Sequence, residues 1–324
     1  MTARPRDGRP EAMHAPLPDM PRAARHSLPD LVGDLRQLAS VQRITLGDGP
    51  DAGQKLLAFS TGGGLDFQVK EQGSLDIRSL HLRGLPLGWR HPAGDTGNPQ
   101  RALTGFLVTC GLENVRAPRA GLPQHGSLAL SPVRLLALDA DWQAPEPHLF
   151  VTGEIHHPMP CGAVCRIIRR MSAPIGGTRL VVHDRIENIS ATPAEVMLLY
   201  HVNFGFPVAA PGCAVRIGGT RVTGIDSLDP GDRPGAPECH RMPPDVPVVV
   251  ERPASGDWPG MRLELTSDTG SLPFLQTWRD GRRKRNILAI EPCNCDLRPD
   301  GTSGPGTRLA PGERMDSSLT LSFA

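Results

Sequence analysis

Side chains that alternate apolar and polar at every second residue constrain this chain more than any other feature. Leu65, Phe67 and Val69 alternate with Asp66, Gln68 and Lys70, and Met261, Leu263 and Leu265 with Arg262, Glu264 and Thr266. Leu319, Leu321 and Phe323 alternate in the same way with Ser318, Thr320 and Ser322. A period of two puts successive side chains on opposite faces, so each run reads as an antiparallel strand with one buried and one wet face. Leu149, Val151 and Ile155, and Leu180, Val182 and Ile186, extend the pattern. Turn formers separate the runs: Gly62-Gly63-Gly64, Gly176-Gly177, Gly218-Gly219 and Asp280-Gly281. So many short strands in 324 residues imply an all-β chain, a large two-layer antiparallel sandwich or barrel.

Helix is expected only near the start. Residues 1–26, rich in Pro, Arg and Ala without periodicity, read as a mobile tail. Ser27 then reads as a helix cap, with Leu31, Leu35 and Leu38 at helical spacing behind it. No shift in composition marks an internal boundary, so residues 27–324 read as a single domain.

Charge and cysteine content exclude several classes. With 35 basic and 34 acidic residues, the surface makes no general case for nucleic acid or an anionic membrane. No apolar run reaches the ~20 residues of a membrane helix, and the N-terminus lacks the apolar middle of a secretory signal. Seven scattered cysteines do not form a disulfide framework, which points to a reducing cytoplasm. His156, His157, Cys161 and Cys165 suggest zinc at first sight. Their spacing fits no usual ligand set, and adjacent strand residues such as His156 and His157 point to opposite faces, so no metal is expected.

Chemistry concentrates in three stretches. In Leu198–Pro207, LLYHVNFGFP, the face holding Met197 and Leu199 also holds His201 and Asn203, while Leu198, Tyr200, Val202 and Phe204 take the other. Tyr200 is the only tyrosine in the chain. Gly205 and Pro207 stop the strand and leave His201 near a rim, either as a satisfied core histidine or as a working one. His125 sits on the glycine-rich turn Leu122–Ser127. Glu291 shares a strand face with Ile287 and Ala289, and Pro292 is expected to end the ladder directly after it. A carboxylate there is costly unless it is salt-bridged or opens on a cleft.

The ordered set Thr109-Cys110-Gly111-Leu112, PQHG, LYHVNFG, LPFLQTW and AIEPCN resembles the galactose mutarotase-like superfamily. More closely, it looks like a poorly characterised, aldose 1-epimerase-related branch with TCGL, HG, YHxNxG and IEP blocks, over roughly Asp76 to Asn294. The resemblance implies a β-supersandwich, no cofactor, and interconversion of the α and β anomers of a hexose or related sugar. Glu291 matches the glutamate that takes the anomeric proton, His201 the histidine that protonates the ring oxygen, and His125 the histidine that orients the sugar. Asn203, Trp278, Arg78, Asp76, Gln276 and Asn294, in or beside the blocks, are the candidate sugar contacts. Ser127 stands where the branch usually has Arg after HG.

These residue types suit the reaction. Opening a hemiacetal removes a proton from O1 while another reaches O5, and a histidine and a carboxylate can each contribute roughly 10²–10⁴-fold. Trp278 either stacks on a pyranose or caps the core. The basic tip 279–285 either reads an anionic group on the sugar or is a solvated turn. Arg78 and Asp76 either line the cleft or form an ion pair. The expected partner is a small sugar, neutral or anionic, with the chain a monomer or homodimer. The alternatives are a catalytically silent sugar-binding protein on the same scaffold, and an isomerase or lyase acting on an acidic sugar.

Overall fold

A computed structural model describes residues 28–91, 103–228 and 234–324. The expected tail and the Ser27 cap lie outside them. Among the described residues the alternating runs form two antiparallel sheets, and the strand counts are of those residues. The larger has eleven strands and runs from Ser40–Thr45 through Lys55–Ser60, Leu65–Lys70, Ile77–Leu82, Leu107–Leu112 and Ala194–Phe204. It continues through Ile287–Cys293 and Phe274–Asp280 to the edge strand Glu238–Arg241, with two short strands pairing off this path. The second sheet has nine strands, with Arg314–Phe323 and Arg179–Asn188 near its middle.

The main core lies between the sheets. Leu65, Phe67 and Val69 meet Leu180, Val182, Leu319 and Leu321 there, all essentially inaccessible. One alternating face per strand is thereby removed from water, which is the dominant stabilising term. The fold is an all-β supersandwich, as the alternation implied.

The Ala194–Phe204 strand departs from the half-wet pattern. Val196, Leu198, Tyr200, Val202 and Phe204 belong to the inter-sheet core. Met197 and Leu199 belong to a second, smaller cluster on the sheet's outer face, with Val108, Cys110, Val115, Cys293 and Cys295. This strand is therefore buried on both faces, and so is Ile287–Cys293. The loop from Glu113 to Gly126 passes close to this outer face, bonding back to the sheet through Gly111 N–H to the His125 carbonyl at 3.0 Å.

Two local expectations are corrected. Among the described residues the N-terminal helix covers Leu28–Leu31, followed by a 3-10 turn at Leu35–Gln37. Asp34 caps that turn by accepting from the Arg36 N–H, which interrupts the helix, and Leu31 is 77% exposed while Leu35 and Leu38 are half-buried, so the three do not pack as one helical face. Pro292 does not end its strand. The ladder runs on through Leu275–Pro292 and Phe274–Cys293 pairs, because the proline removes one donor while pairing on either side holds.

Candidate active site

Register assembles the site. Leu199 pairs with Cys293 and Val202 with Ile290, which sets His201 beside Glu291, and Glu291 pairs with Gln276 on its other side. Gln276 in turn pairs with Cys239. All four side chains share the outer face, away from the second sheet. His201 Nε2 lies 3.5 Å from Glu291 Oε1, with 2% and 0% of the two side chains exposed.

A chain of hydrogen bonds fixes the carboxylate. Arg116 Nε donates to Gln276 Oε1 at 2.5 Å, and the Gln276 amide donates to Glu291 Oε2. That leaves Glu291 Oε1, on the histidine side, with no partner, and His201 Nδ1 has none either. Two unsatisfied polar atoms in one buried spot are costly, and such exceptions call for an explanation. Arg116 is itself buried and anchored by the Asp296 and Cys295 carbonyls, at 3.0 and 2.8 Å, and by Ser303 Oγ at 3.0 Å.

His125 completes the cluster from the loop. Its ring stands edge-to-face on His201 with centroids 5.4 Å apart, and its Nδ1 accepts the Arg116 backbone N–H at 3.3 Å. The neutral ring therefore carries its proton on Nε2. The motifs around it have a steric reason. A Cβ on Gly111 would fall 2.1 Å from the Met197 carbonyl oxygen, and one on Gly126 would fall 2.4 Å from that of Gly111. Both glycines have φ in the left-handed range, +130° and +69°, so TCGL and HG describe one tight crossing of loop and sheet. Ser127 pins that crossing by donating to Glu113 at 2.6 Å, and Glu113 also accepts from His157 Nε2 at 2.9 Å. Burial alone would raise Glu113, but those two bonds hold its carboxyl below the usual range.

Burial dominates the electrostatics of the cluster. It pushes Glu291 up to about 8, against the opposing pull of Arg116 and the Gln276 bond. It lowers His201 to about 4, with Asn203 acting the other way, and it lowers His125 well below the usual imidazole range, helped by His201 and Arg116. Near neutral pH both imidazoles are uncharged, and the one exchangeable proton that His201 and Glu291 share rests on Glu291.

Of the remaining candidates, the structure brings Gln276 and Trp278 to the cluster. The Trp278 ring lies 6.3 Å from His201, with Nε1 bonded to the Gly235 carbonyl. A small pocket of about 70 Å³ opens beside Trp278, lined also by Trp89, Leu103, Thr104, Asp280 and Arg285, and His125, His201 and Glu291 are not in its lining. Asn203 and Asn294 act as staples. Asn203 donates to the Leu103 and Gly105 carbonyls, and Asn294 ties the Val196 carbonyl and the Leu198 N–H. Arg78 is ion-paired with Asp51 at 2.6 Å. Asp76 does not join the cluster: its carboxylate lies among the inter-sheet groups, accepting the Thr109 N–H at 2.9 Å, 3.6 Å from Arg169. In the basic tip, Arg282 pairs with Asp280 at 2.6 Å. His157 is buried on Ser131 and Glu113, while His156 is outside near Glu154, on opposite faces as the alternation required. A larger cavity of about 510 Å³, lined by Glu113, Met159, Cys161, Glu195 and Arg308, does not include the cluster. Sequence reasoning missed Arg116: it ends the run Gly111–Arg116, and nothing in its spacing reveals its reach to Gln276.

In fold the two sheets are similar to those of galactose mutarotase-like proteins of known structure. A Klebsiella pneumoniae protein provisionally named an aldose 1-epimerase superposes with a TM-score of 0.73 at 19% identity, covering 89% of this chain and 86% of its own. A galactose mutarotase-like protein from Clostridium acetobutylicum gives 0.66 at 12% identity over 89% and 99%. Galactose 1-epimerase from Lactobacillus acidophilus NCFM gives 0.58 at 13% over 88% and 99%. Residues 51–323 match the family described as a domain of unknown function, DUF4432, and the chain belongs to that family. No curated protein matches it in sequence.

Proposed function

We propose that this protein is a metal-independent mutarotase that interconverts the anomers of a free sugar at the His201–Glu291 pair. The observation that carries the proposal is the unpartnered Glu291 Oε1 facing His201 Nε2 at 3.5 Å. The hydroxyl and ring oxygens of a hemiacetal sit on one carbon, so the donor and acceptor that serve them must converge as these two do. Glu291 takes the proton from O1 as the C1–O5 bond breaks and O1 becomes the carbonyl oxygen, while His201 delivers a proton to O5. Rotation about C1–C2 presents the other carbonyl face, and closure returns both protons. No net proton is consumed; burial leaves the pair's exchangeable proton on Glu291 at rest, so it passes to His201 across the 3.5 Å gap before Glu291 accepts from O1. His125, neutral with its proton on Nε2, can donate a hydrogen bond to the sugar on the ring-oxygen side.

Polarimetry of freshly dissolved α-hexoses tests the proposal. The Glu291→Gln variant is expected to lose roughly 10²–10⁴-fold in the catalysed rate. Its thermal midpoint should hold or rise, because an amide there avoids burying an ionisable group. Full activity in that variant would remove the assignment. Sugar binding in the wild type without accelerated mutarotation would leave the silent binding protein as the better reading.

A further inference from the structure

The outer face continues past the catalytic row. Asn203, Ala289 and Trp278 pair across three neighbouring strands, two residues along from His201, Glu291 and Gln276, so they form the next row at about 7 Å. The small pocket of about 70 Å³ lies over this row and the following one, since Trp278, Asp280 and Ile287 line it. Thr104 lines it too. Asn203 donates to the Leu103 and Gly105 carbonyls, at 2.8 and 3.1 Å, and so holds Thr104 between them beside the row. Thr104 is 1% exposed, and its Oγ1 has no partner among the described residues. A buried hydroxyl left unpaired at a pocket wall is costly, and a ligand oxygen would satisfy it.

A cation completes the lining. In the basic tip, Arg279 donates to the Gly224 and Ser227 carbonyls, and Arg282 clasps Asp280 with bonds of 2.8 and 2.6 Å. Arg283 and Lys284 are exposed, whereas Arg285 lines the pocket. Its backbone is pinned there, the carbonyl accepting the Trp89 indole N–H at 2.6 Å. Its guanidinium has no hydrogen bond or ion pair to a described residue. Arg282 already neutralises Asp280, so Arg285 gives the pocket a surplus positive charge.

We propose that this pocket is a subsite for a carboxylate on the sugar, held by Arg285 and Thr104, which makes the substrate a hexuronic acid rather than a neutral hexose. Placing that carboxylate on C5 rests on the mutarotase reading. His201 serves O5 in that reading, and its ring lies 6.3 Å from that of Trp278, which walls the pocket. C5 is bonded to O5, so a substituent on C5 leaves the ring on this side. The donors fit one carboxylate, a guanidinium for the charge and a hydroxyl proton for the second oxygen. A phosphate would bring a second charge that no further lysine or arginine in the lining matches. Trp89 and Trp278 offer apolar walls to the C–H groups of the ring. The catalytic row does not repel an anion, because Glu291 keeps its proton at rest beside the Arg116 cation.

Anomer exchange in equilibrated sugars, followed by magnetisation transfer between the two anomeric protons, tests this on the full-length protein. Glucuronate, glucose, glucose 6-phosphate and xylose, which lacks C6, are compared, with the galacto series in parallel. The uronate should exceed the neutral hexose in kcat/KM by roughly 10- to 100-fold, the range of a charge-assisted bond. In Arg285→Gln the ratio of uronate to xylose should fall by the same factor, and in Thr104→Val by roughly 2- to 10-fold. Thr104→Val should also hold or raise the thermal midpoint, because its hydroxyl has no partner to lose. A lowered midpoint would mark Thr104 as structural and remove it from the subsite. A neutral hexose preferred to the uronate, a 6-phosphate preferred to both, or a uronate preference that survives Arg285→Gln would overturn the proposal. If no sugar exchanges faster than in buffer, the mutarotase reading fails, and calorimetric titration with the same sugars decides the subsite. Tighter binding of the uronate, lost in Arg285→Gln, then upholds it, and equal or absent binding sinks it.

Discussion

One strand carries two buried polar clusters on its two faces, and they end differently. On the inner face Tyr200 donates to Asp184 at 2.5 Å, and Arg169 clasps the same carboxylate at 2.8 and 2.6 Å. Arg169 also reaches the Ser74 carbonyl and Thr109 Oγ1, both at 2.7 Å, so each guanidinium nitrogen has an acceptor. One oxygen of Asp76 is the loose end there. On the outer face, one residue along, the loose ends are Glu291 Oε1, His201 Nδ1 and Asn203 Oδ1, gathered around the atoms proposed to handle protons. A closed network rigidifies the join between the sheets, whereas an open one holds unmet bonds for a ligand to complete. Burial alone does not tell structural from working groups. Satisfaction does.

The most severe way to break this contrast is to remove Arg169. Arg169→Met strips the partner from Asp184 and from Asp76, and an uncompensated buried carboxylate costs about 3–5 kcal/mol. The variant should show a lowered midpoint in urea with the slope unchanged, and its folded fraction should keep the wild-type specific rate. Glu291→Gln is the mirror case, losing rate and keeping the fold. If Arg169→Met folded normally and lost only activity, the two clusters would not divide as described.

The pH profile comes next. Glu291 pushed up to about 8 and His201 lowered to about 4 bound the range in which the pair holds one proton. Below about 4 a second proton binds and no base remains, and above about 8 the only proton leaves and no acid remains. kcat/KM should therefore be bell-shaped with limbs near those values. His125, Arg116 and Cys239 face the pair as well, and removing the cation in Arg116→Gln should move the upper limb to higher pH. Equal rates at pH 6 and pH 10 would rule out the pair as acid and base.

How much of this was legible in sequence follows from range. Alternation is local, so the strands at 65–70, 261–267 and 314–323 and the split of Met197, Leu199, His201 and Asn203 from Tyr200 could be read directly. The convergence of His125, His201 and Glu291 came from the order of motif blocks, because register between strands 90 residues apart leaves no local trace. Arg116 and its grip on Gln276 were invisible for the same reason, joining a loop to a strand 160 residues away. Asp76 and Arg78 show the limit of alternation. They stand two apart in a strand-like run, yet Arg78 is skipped by a register shift between Gln68 and Val69 and pairs with Asp51, while Asp76, before the strand begins, reaches the inter-sheet network.

The smallest effect concerns the loose end of the closed cluster. Burial raises Asp76 to about 6 from an ordinary 3.8, with Lys70, Arg169 and the Thr109 bonds opposing it. Raised in the folded state, this carboxyl binds its proton more tightly there than in the unfolded chain. Its contribution is therefore most favourable below pH 4 and declines as pH rises toward 6 and beyond, the reverse of a salt-bridged aspartate. Asp76→Asn keeps an oxygen for the Thr109 N–H and removes the titration. Relative to wild type the variant should gain about 1–3 kcal/mol between pH 4 and pH 7, read from urea midpoints at the two values. A difference that does not change with pH would mean that Arg169, at 3.6 Å, already keeps Asp76 ionised. Asp76 would then belong to a fully charged inner network, and the contrast with the outer face would be sharper still.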